Sequence, residues 1–212
     1  LLSSLDIDFK GKSPKTKVMV TDGSKKSAQK WFAKEGGKTD RKLIAIHPGM
    51  GGSALNWPES LYLDLIKALI QDGHQILVTG GPTESALLRR FQAALKGQSG
   101  IFYYPLQSTE GNTLDRLAGF FQISDLVVAP STGPLHLAVA LGRPVLGFYP
   151  PVRVQSAKRW GPFQALQGKS KVMTPSVSCP GVLQCLGSTC EYYNCMKNVL
   201  VSEVRQEVRN IL

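Results

Sequence analysis

Residues 43–53 read Leu-Ile-Ala-Ile-His-Pro-Gly-Met-Gly-Gly-Ser and set a pattern that the chain repeats. Four consecutive apolar residues are typical of a strand buried on both faces of a parallel sheet. Glycines directly after a strand let backbone N–H groups approach an anion, and the start of the next helix favours negative charge. The stretch predicts a strand, a glycine-rich loop and a helix. The loop is interpreted as either a phosphate cradle or a merely tight turn.

Apolar runs and amphipathic helices alternate from residue 42 to residue 149. Strands are predicted at 43–46, 75–79, 101–103, 125–129 and 144–149, the last of these being the final strand. A first helix is predicted at 25–34, after a cap at 21–24, and further helices at about 57–73, 83–95, 114–121, 134–141 and, at the end of the chain, 202–212. Such alternation with short loops predicts βαβ units. Right-handed crossovers wind these units into an α/β fold, a Rossmann-like doubly wound parallel sheet.

The composition excludes several classes of protein. With 212 residues, of which 42% are hydrophobic and 19% charged, the chain is able to bury a substantial core and is not disordered. No secretory signal, apolar run of membrane-spanning length or fixed-period repeat is recognisable. The three histidines form no metal-binding motif with other residues of the sequence.

The positive charge is concentrated near the start of the chain. Of the net charge of +10, +6 falls within residues 1–42. This basic stretch is interpreted as an ordinary solvated face or as a contact with an anionic membrane surface. Because no aromatic-interleaved basic motif is present, we expect no nucleic-acid partner.

A second loop, residues 130–134, follows a predicted strand, at the edge where open parallel sheets bind ligands. Ser131 or Thr132 is expected to cap the next helix, and Gly133 allows close backbone approach. His136 would lie in the first helical turn, near any bound phosphate, although a lone histidine is more often structural. We expect this loop and the glycine-rich loop to share a pocket for a pyrophosphate.

The third loop, residues 80–84, ends in Glu84. An acidic residue at such a place accepts hydrogen bonds from ribose hydroxyls in many nucleotide sites. The alternative is a solvated residue in the first turn of a helix. Together the three loops predict a nucleotide-like ligand, but their glycines match neither G-x-G-x-x-G nor a Walker motif.

Four separated motifs, in this order, resemble those of glycosyltransferase family 9, the ADP-heptose:lipopolysaccharide heptosyltransferases and their relatives. They are His47–Ser53 with Trp57-Pro58, Ser131–Val145, Arg159–Pro162 and the cysteines between 179 and 195. The resemblance covers roughly residues 42–212. It implies the GT-B fold, in which two Rossmann-like domains face a cleft and the C-terminal domain binds the nucleotide-sugar donor.

The resemblance implies that this chain is the C-terminal, donor-binding half of an enzyme. Residues 1–41 would be a basic connection from an N-terminal domain that binds the acceptor and supplies the catalytic base. Residues 42–168 would form the donor domain, and residues 169–212 a cysteine-containing tail and closing helix. The isolated chain is therefore expected to be inactive.

The resemblance also assigns the donor site. The motif that holds the diphosphate is matched by Thr132, Gly133 and His136. An acidic position near the ribose is matched by Glu84, and the positions that line the nucleoside pocket are matched by Asn112 and Thr113. The whole predicted nucleotide-sugar site is Gly51, Gly52, Ser53, Glu84, Asn112, Thr113, Ser131, Thr132, Gly133 and His136.

Two positions depart from the family pattern. Ser131 stands where aspartate is often found, which is a common variant. Leu55 stands where the family usually has a lysine, which would place a cation beside the departing diphosphate. Lys158 and Arg159 are the candidates to replace that cation.

The implied reaction is a metal-independent, inverting sugar transfer without a cofactor. The donor would be ADP-heptose, and the acceptor a lipid-linked saccharide of the lipopolysaccharide core at the inner face of the inner membrane of a Gram-negative bacterium. The enzyme would be cytoplasmic and peripheral to that membrane. The alternatives are another GT-B enzyme that uses a UDP- or GDP-sugar, a sugar-nucleotide epimerase, or a non-catalytic nucleotide-binding or membrane-surface module, which Leu55 favours.

The four cysteines, Cys179, Cys185, Cys190 and Cys195, all lie within seventeen residues. Their spacing does not match the paired C-x-x-C pattern of common zinc sites. Three states are open from the sequence: unligated structural thiols, a four-sulfur metal site and two disulfides. No other metal site is expected.

Overall fold

The computed structural model describes residues 18–52, 54–105, 113–162 and 169–212. The strands are β1 (Leu43–Ile46), β2 (Gln75–Val78), β3 (Ile101–Tyr103), β4 (Leu126–Pro130), β5 (Val145–Phe148) and β6 (Ser170–Met173). The helices are α1 (Asp22–Lys34), α2 (Glu59–Gln71), α3 (Ser85–Ala94), α4 (Thr113–Ile123), α5 (Gly133–Ala140), α6 (Ala157–Trp160) and α7 (Val201–Ile211).

All six strands run parallel in one sheet, in the order β3-β2-β1-β4-β5-β6. The order reverses between β1 and β4, where Ile44 pairs with Leu126 and Ile46 with Val128. This arrangement is the Rossmann order of strands, and ligands of such sheets bind outside the carboxyl ends of the strands at the reversal. The predicted doubly wound α/β fold is confirmed.

Helices cover both faces of the sheet, and β1 supplies side chains to both. Ile44 and Ile46 belong to a buried cluster with α2, α3 and α7, whereas Leu43 and Ala45 belong to a second cluster with α1, α4 and α5. Because successive side chains of a strand point to opposite faces, a strand between two helical layers must be apolar throughout. The continuous apolar run of β1 follows from this position.

Helix α1 is part of the second cluster. Its predicted cap is confirmed, since Thr21 Oγ1 accepts a hydrogen bond from the backbone N–H of Ser24 at 3.2 Å. Phe32 is buried, and the ring of Trp31 packs edge-on against Phe120 at a centroid distance of 5.1 Å. The sequence predicts this helix but does not show that it packs on the sheet domain.

The expectation that residues 144–149 form the final strand is wrong, because β6 follows at the edge of the sheet. Only Met173 of this strand is fully buried, and Lys171 is exposed. An edge strand with one buried residue lacks the apolar run that reveals a central strand.

The predicted closing helix is confirmed as α7. Val204 and Val208 are buried against the core, and Arg205 forms two hydrogen bonds with the carboxylate of Asp72 at the end of α2. No helix in the described ranges is both long and apolar enough to cross a membrane.

Candidate functional site

Two cavities open at the carboxyl edge of the sheet and meet at the start of α5. The first has a volume of about 490 Å³ and is lined by the loops after β1 and β2 and by α4; we call it the nucleoside-side cavity because Glu84, the residue predicted to lie near a ribose, lines it. The second has a volume of about 460 Å³ and is lined by α5 and by residues 154–160; we call it the sugar-side cavity because it lies on the other side of the turn predicted to hold a diphosphate. Thr132 and Gly133 line both cavities.

The two loops that were expected to share a pocket are brought together here. Gly49 and Gly51 line the nucleoside-side cavity together with Thr132 and Gly133. The adjacent strands explain this, since the N–H of His47 donates to the carbonyl oxygen of Val128 in β4 at 2.8 Å. Loops that leave the carboxyl ends of neighbouring parallel strands must lie side by side.

The side-chain hydroxyl of Thr132, at the start of α5, is buried without a hydrogen-bond partner among the described residues. Thr132 occupies the N-cap position in an extended conformation, and Pro134 lies in the first turn, as predicted. The expectation that a side chain caps the helix is wrong for Thr132, because its Oγ1 forms no cap hydrogen bond. That oxygen is buried and has no hydrogen-bond partner among the described residues. Buried polar atoms of this kind call for an explanation, and a missing ligand is one.

His136 lies in the first turn of α5 and lines the sugar-side cavity. Burial lowers the pKa of its imidazole, so the ring is neutral at neutral pH. A neutral imidazole still has one N–H to donate. Ser131 lines the same cavity. Burial raises the pKa of Tyr149 to about 12, and a hydrogen bond with Ser131 opposes this shift in part.

Glu84 is held in place by neighbours on the nucleoside side. Its Oε2 accepts a hydrogen bond from the N–H of Gly81 at 2.6 Å and lies 3.5 Å from Nε2 of His47. Glu84 ends a short 3₁₀ turn, Pro82–Glu84, and 18% of its side chain is exposed. A Cβ on Gly49 would lie 1.8 Å from Oε1, which means that the carboxylate occupies the space above this glycine.

His47 completes this contact. Its Nδ1 lies 3.0 Å from Oγ1 of Thr79, and both side chains are buried. Burial lowers the pKa of His47, although the charge of Glu84 opposes this shift in part. The neutral tautomer with its proton on Nε2 satisfies both contacts, because it accepts from Thr79 and donates towards Glu84. The sequence gives no sign of this role for His47.

The remaining predicted site residues are placed as follows. Gly52 is exposed with a φ of +80°, a turn that favours glycine. Thr113 is the first residue of α4, while Ser53 and Asn112 lie outside the described residues.

Several lining residues were not predicted. Tyr104 directly follows β3 and lines the nucleoside-side cavity with Leu117. The sequence signal that could have identified Tyr104 as a lining residue is its place directly after a strand. On the sugar side, Gln155 lines the cavity with Trp160, and its Oε1 is buried without a partner among the described residues.

Leu55, at the position where a lysine was expected, lines neither of these two cavities. Leu55 packs against the core and lines a third, small cavity. Of the two candidate cations, Arg159 lines the sugar-side cavity, with its guanidinium carbon 5.3 Å from the ring centroid of Trp160.

The third cavity brings the four cysteines together. Cys179, Cys185, Cys190 and Cys195 all line it, and all are free thiols. Burial and the other three cysteines raise the pKa of Cys195. As the described side chains stand, no three His, Cys, Asp or Glu residues are close enough together to hold a metal ion.

The strand order and the two cavities define the class of protein: a Rossmann-like α/β domain with its cleft at the strand reversal. Comparison with known proteins identifies the family. The model of glycosyltransferase family 9 (heptosyltransferase) matches residues 1–182, and the chain belongs to this family.

Curated relatives are similar over most of the chain. A putative glycosyltransferase of Haemophilus influenzae is 34% identical over 152 residues, which cover 70% of this chain and 42% of that protein. Lipopolysaccharide heptosyltransferase 2 of Escherichia coli is 27% identical over 136 residues, which cover 63% of this chain and 37% of that protein. The matched part of the chain thus spans about two fifths of these relatives.

Solved structures share the fold. The ADP-heptose lipopolysaccharide heptosyltransferase II of Escherichia coli superposes with a TM-score of 0.71 at 19% identity, covering 98% of this chain and 56% of that one. A glycosyltransferase family 9 protein of Veillonella parvula gives a TM-score of 0.77 at 16% identity, covering 99% and 57%. The chain has the fold of the C-terminal domain of a GT-B glycosyltransferase.

Proposed function

We propose that this chain is the donor-binding half of a heptosyltransferase and that its donor is ADP-heptose. The observation that carries the proposal is the junction of the two cavities at Thr132 and Gly133. A nucleotide sugar has a diphosphate between a nucleoside and a sugar. A site with a phosphate-binding turn between two cavities has the matching order of parts.

The diphosphate would lie at the start of α5. The first N–H groups of a helix have no intrahelical acceptor and favour an anion. The helix dipole alone contributes about 0.3–1 kcal/mol, so further donors are needed. The unpartnered hydroxyl of Thr132, the imidazole of His136 and the guanidinium of Arg159 supply them.

The nucleoside would lie in the cavity beside Glu84. Its carboxylate is fixed by Gly81 and His47 and accepts hydrogen bonds from ribose hydroxyls. Tyr104 and Leu117 provide surface for the base. The family resemblance predicts that Asn112 and Thr113 also contact the nucleoside.

The sugar would lie between α5 and Trp160. The unpartnered Oε1 of Gln155 is an acceptor for a sugar hydroxyl in this cavity. Carbohydrate hydroxyls are the donors that such an amide oxygen lacks in the free protein.

The proposed reaction is an inverting, metal-independent transfer. A hydroxyl of the acceptor attacks the anomeric carbon and loses its proton to a base outside this chain, while the bond to the nucleoside diphosphate breaks. The N–H groups of α5 and Arg159 stabilise the charge that develops on the leaving group. Arg159 thus takes the role of the cation that Leu55 cannot supply, and the chain alone does not catalyse the reaction.

The proposed acceptor is a lipid-linked saccharide of the lipopolysaccharide core at the inner face of the inner membrane. Lys25, Lys26, Lys30 and Lys34 are all exposed on α1 and would favour an anionic surface. The enzyme would then be cytoplasmic and peripheral to the membrane, with no cofactor.

Calorimetric titration with ADP, UDP and GDP tests the proposal. We expect ADP to bind most tightly, and Thr132→Val to weaken ADP binding about tenfold because a hydrogen bond is lost. Thr39→Val, at an exposed threonine far from the cleft, is the matched control and should bind like the parent protein. Preference for UDP or GDP would favour the other GT-B enzymes, and equal affinity of both variants would remove the assigned site.

Leu55 favours a second candidate, a nucleotide-binding module that has lost catalysis. Turnover of the donor by the protein that contains this chain together with its acceptor domain distinguishes the two. Nucleotide binding without any donor turnover supports the module.

A further inference from the structure

Two buried polar side chains lie next to each other at the carboxyl ends of β1 and β2. His47 directly follows β1, Thr79 directly follows β2, and both side chains are almost fully buried. They are neighbours because the two strands pair with Ile46 opposite Val78, one residue earlier. Burial of two polar groups costs free energy unless they are hydrogen-bonded, and apolar side chains would fill the same space without that cost. Because His47 also lines the nucleoside-side cavity, the pair is placed to act on a ligand there.

The hydroxyl of Thr79 determines which ring nitrogen of His47 carries the proton. Its Oγ1 lies 3.0 Å from Nδ1 of His47 and 3.4 Å from the carbonyl oxygen of Ile46. That carbonyl oxygen already accepts the backbone N–H of Thr79 at 2.8 Å, so the hydroxyl hydrogen is available to Nδ1. A neutral imidazole that accepts a hydrogen bond at Nδ1 has its proton on Nε2.

The proton on Nε2 faces the carboxylate of Glu84. Nε2 lies 3.5 Å from Oε2, which also accepts the N–H of Gly81 at 2.6 Å. The histidine contact is longer than a normal hydrogen bond, but in a buried site the N–H dipole still attracts a carboxylate. The opposite tautomer would place a lone pair of Nε2 against the carboxylate and repel it. Thr79 thus decides whether His47 attracts or repels Glu84.

The second oxygen of Glu84 remains available to a ligand. Oε1 has no hydrogen-bond partner among the described residues, and it occupies the space above Gly49 where a side chain would otherwise lie. A carboxylate oxygen only accepts hydrogen bonds, and the two adjacent hydroxyls of a ribose are donors of the matching kind. A carboxylate that is already fixed loses less conformational entropy when it binds them.

We propose that Thr79, acting through His47, fixes the carboxylate of Glu84 and thereby makes the site selective for nucleotides with an intact ribose diol. The inference rests on the proposed function, which puts the ribose beside Glu84. Thr79 and His47 are positioning residues in this scheme, because they act through the carboxylate that accepts the ribose hydroxyls.

Calorimetric titration of the protein with ADP and with dideoxy-ADP, which lacks both hydroxyls of the diol, tests the inference. We expect the parent protein to prefer ADP at least about tenfold, since hydrogen bonds to a charged acceptor are lost with the analogue. Thr79→Val keeps the approximate size of the side chain and removes its hydroxyl. It should weaken ADP binding about fivefold and dideoxy-ADP binding less than about twofold. Thr79→Ser restores the hydroxyl and should keep the preference of the parent protein.

Ser124→Ala is the matched control for the loss of a buried hydroxyl. Ser124 is fully buried, and its Oγ donates to the carbonyl oxygen of Phe120 at 2.8 Å. It precedes β4 and so lies at the amino edge of the sheet, opposite the cleft. This variant should unfold at a lower temperature than the parent protein but bind both nucleotides as the parent does. It separates a loss of stability from a loss of positioning.

Nitrogen NMR of the imidazole rings gives a readout that does not depend on how the variants fold. We expect the proton of His47 on Nε2 in the parent protein. A proton on Nδ1, equal weakening of both nucleotides by Thr79→Val, or loss of the preference in Thr79→Ser would each overturn the inference. Absence of nucleotide binding by the parent protein would contradict the proposed function itself, whereas ADP binding that Thr79→Val leaves unchanged would overturn the positioning role alone.

Discussion

The carboxyl edge of the sheet and the segment between β6 and α7 are built differently; we call that segment, residues 174–200, the cysteine segment. At the sheet edge, loops leave strands that are buried on both faces, and polar groups such as His47, Thr79 and Glu84 are fixed by one another. The cysteine segment has little regular structure and reaches the buried core through Met196 and Val199, near its end. The comparison teaches that the sheet edge is held by the buried core, whereas most of the cysteine segment is held by local attachments.

Trp57 is the strongest of these attachments. It is fully buried, stacks on Phe148 at a centroid distance of 4.4 Å, and donates from Nε1 to the carbonyl oxygen of Val199 at 2.9 Å. We expect Trp57→Ala to lower the free energy of unfolding by about 3–5 kcal/mol, as measured by urea denaturation.

The matched control for this prediction is Trp160→Ala. Trp160 is half exposed and lines the sugar-side cavity. Its removal should change the free energy of unfolding by less than about 1 kcal/mol while weakening the binding of a nucleotide sugar. Equal destabilisation by the two substitutions would break the distinction between the core and the cleft wall.

Gly49 tests the rigidity of the sheet edge. Gly49→Ala would put a Cβ on the Glu84 carboxylate, which must leave its contacts with Gly81 and His47. We expect ADP affinity to fall about tenfold in calorimetry, with stability nearly unchanged, since a flexible side chain is able to move. Gly23→Ala, on α1 and outside both cavities, meets no atom closer than 3.9 Å and should bind normally. Similar affinities for both variants would show that the position of Glu84 is not used.

Asp72 tests the attachment after the cysteine segment, where α7 docks on α2. A hydrogen bond from Arg205, and to a smaller extent one from Arg209, hold the pKa of the Asp72 carboxyl well below its usual range. We expect Asp72→Asn to lower the free energy of unfolding by about 1 kcal/mol at pH 7, since the arginines are partly exposed. Asp64→Asn, at a side chain that is 58% exposed, should change it by less than about 0.5 kcal/mol.

The pH dependence of this contribution has a definite sign. Because the pKa of Asp72 is lower in the folded than in the unfolded protein, its stabilising effect is complete above the unfolded value of about 3.9 and is lost as the pH falls below it. The difference between the parent protein and Asp72→Asn should therefore shrink in acid. A difference that is constant from pH 7 to pH 3 would contradict this origin.

The fold was predictable where burial leaves a mark on the sequence. The residues of β1 are apolar throughout because helices cover both of their faces, and this pattern also located β2, β4 and β5. The edge strand β6 has one buried residue and so left no such mark. The packing of Trp31 against Phe120 joins residues 89 positions apart, which periodicity does not reveal.

The sequence was sufficient to predict which backbone turns line the candidate site, but not which side chains contact one another there. Glycines after strands indicated the turns at 49–51 and 132–133, which do line one cavity. The contact between Glu84 and the space above Gly49 depends on the register of two strands, and no local pattern encodes it. The same holds for Leu55, whose packing beside the cysteines follows from the path of the cysteine segment.

Thr132 and Gly133 form the junction of the cleft, because among the described residues the two cavities share no other. Selection of the base and selection of the sugar are consequently separable under the proposed function. We therefore expect that substitutions at Gln155 and Trp160 change the monosaccharide that is accepted, while Arg159 and the contacts with the nucleotide stay the same. Remodelling of this one wall would then change the product.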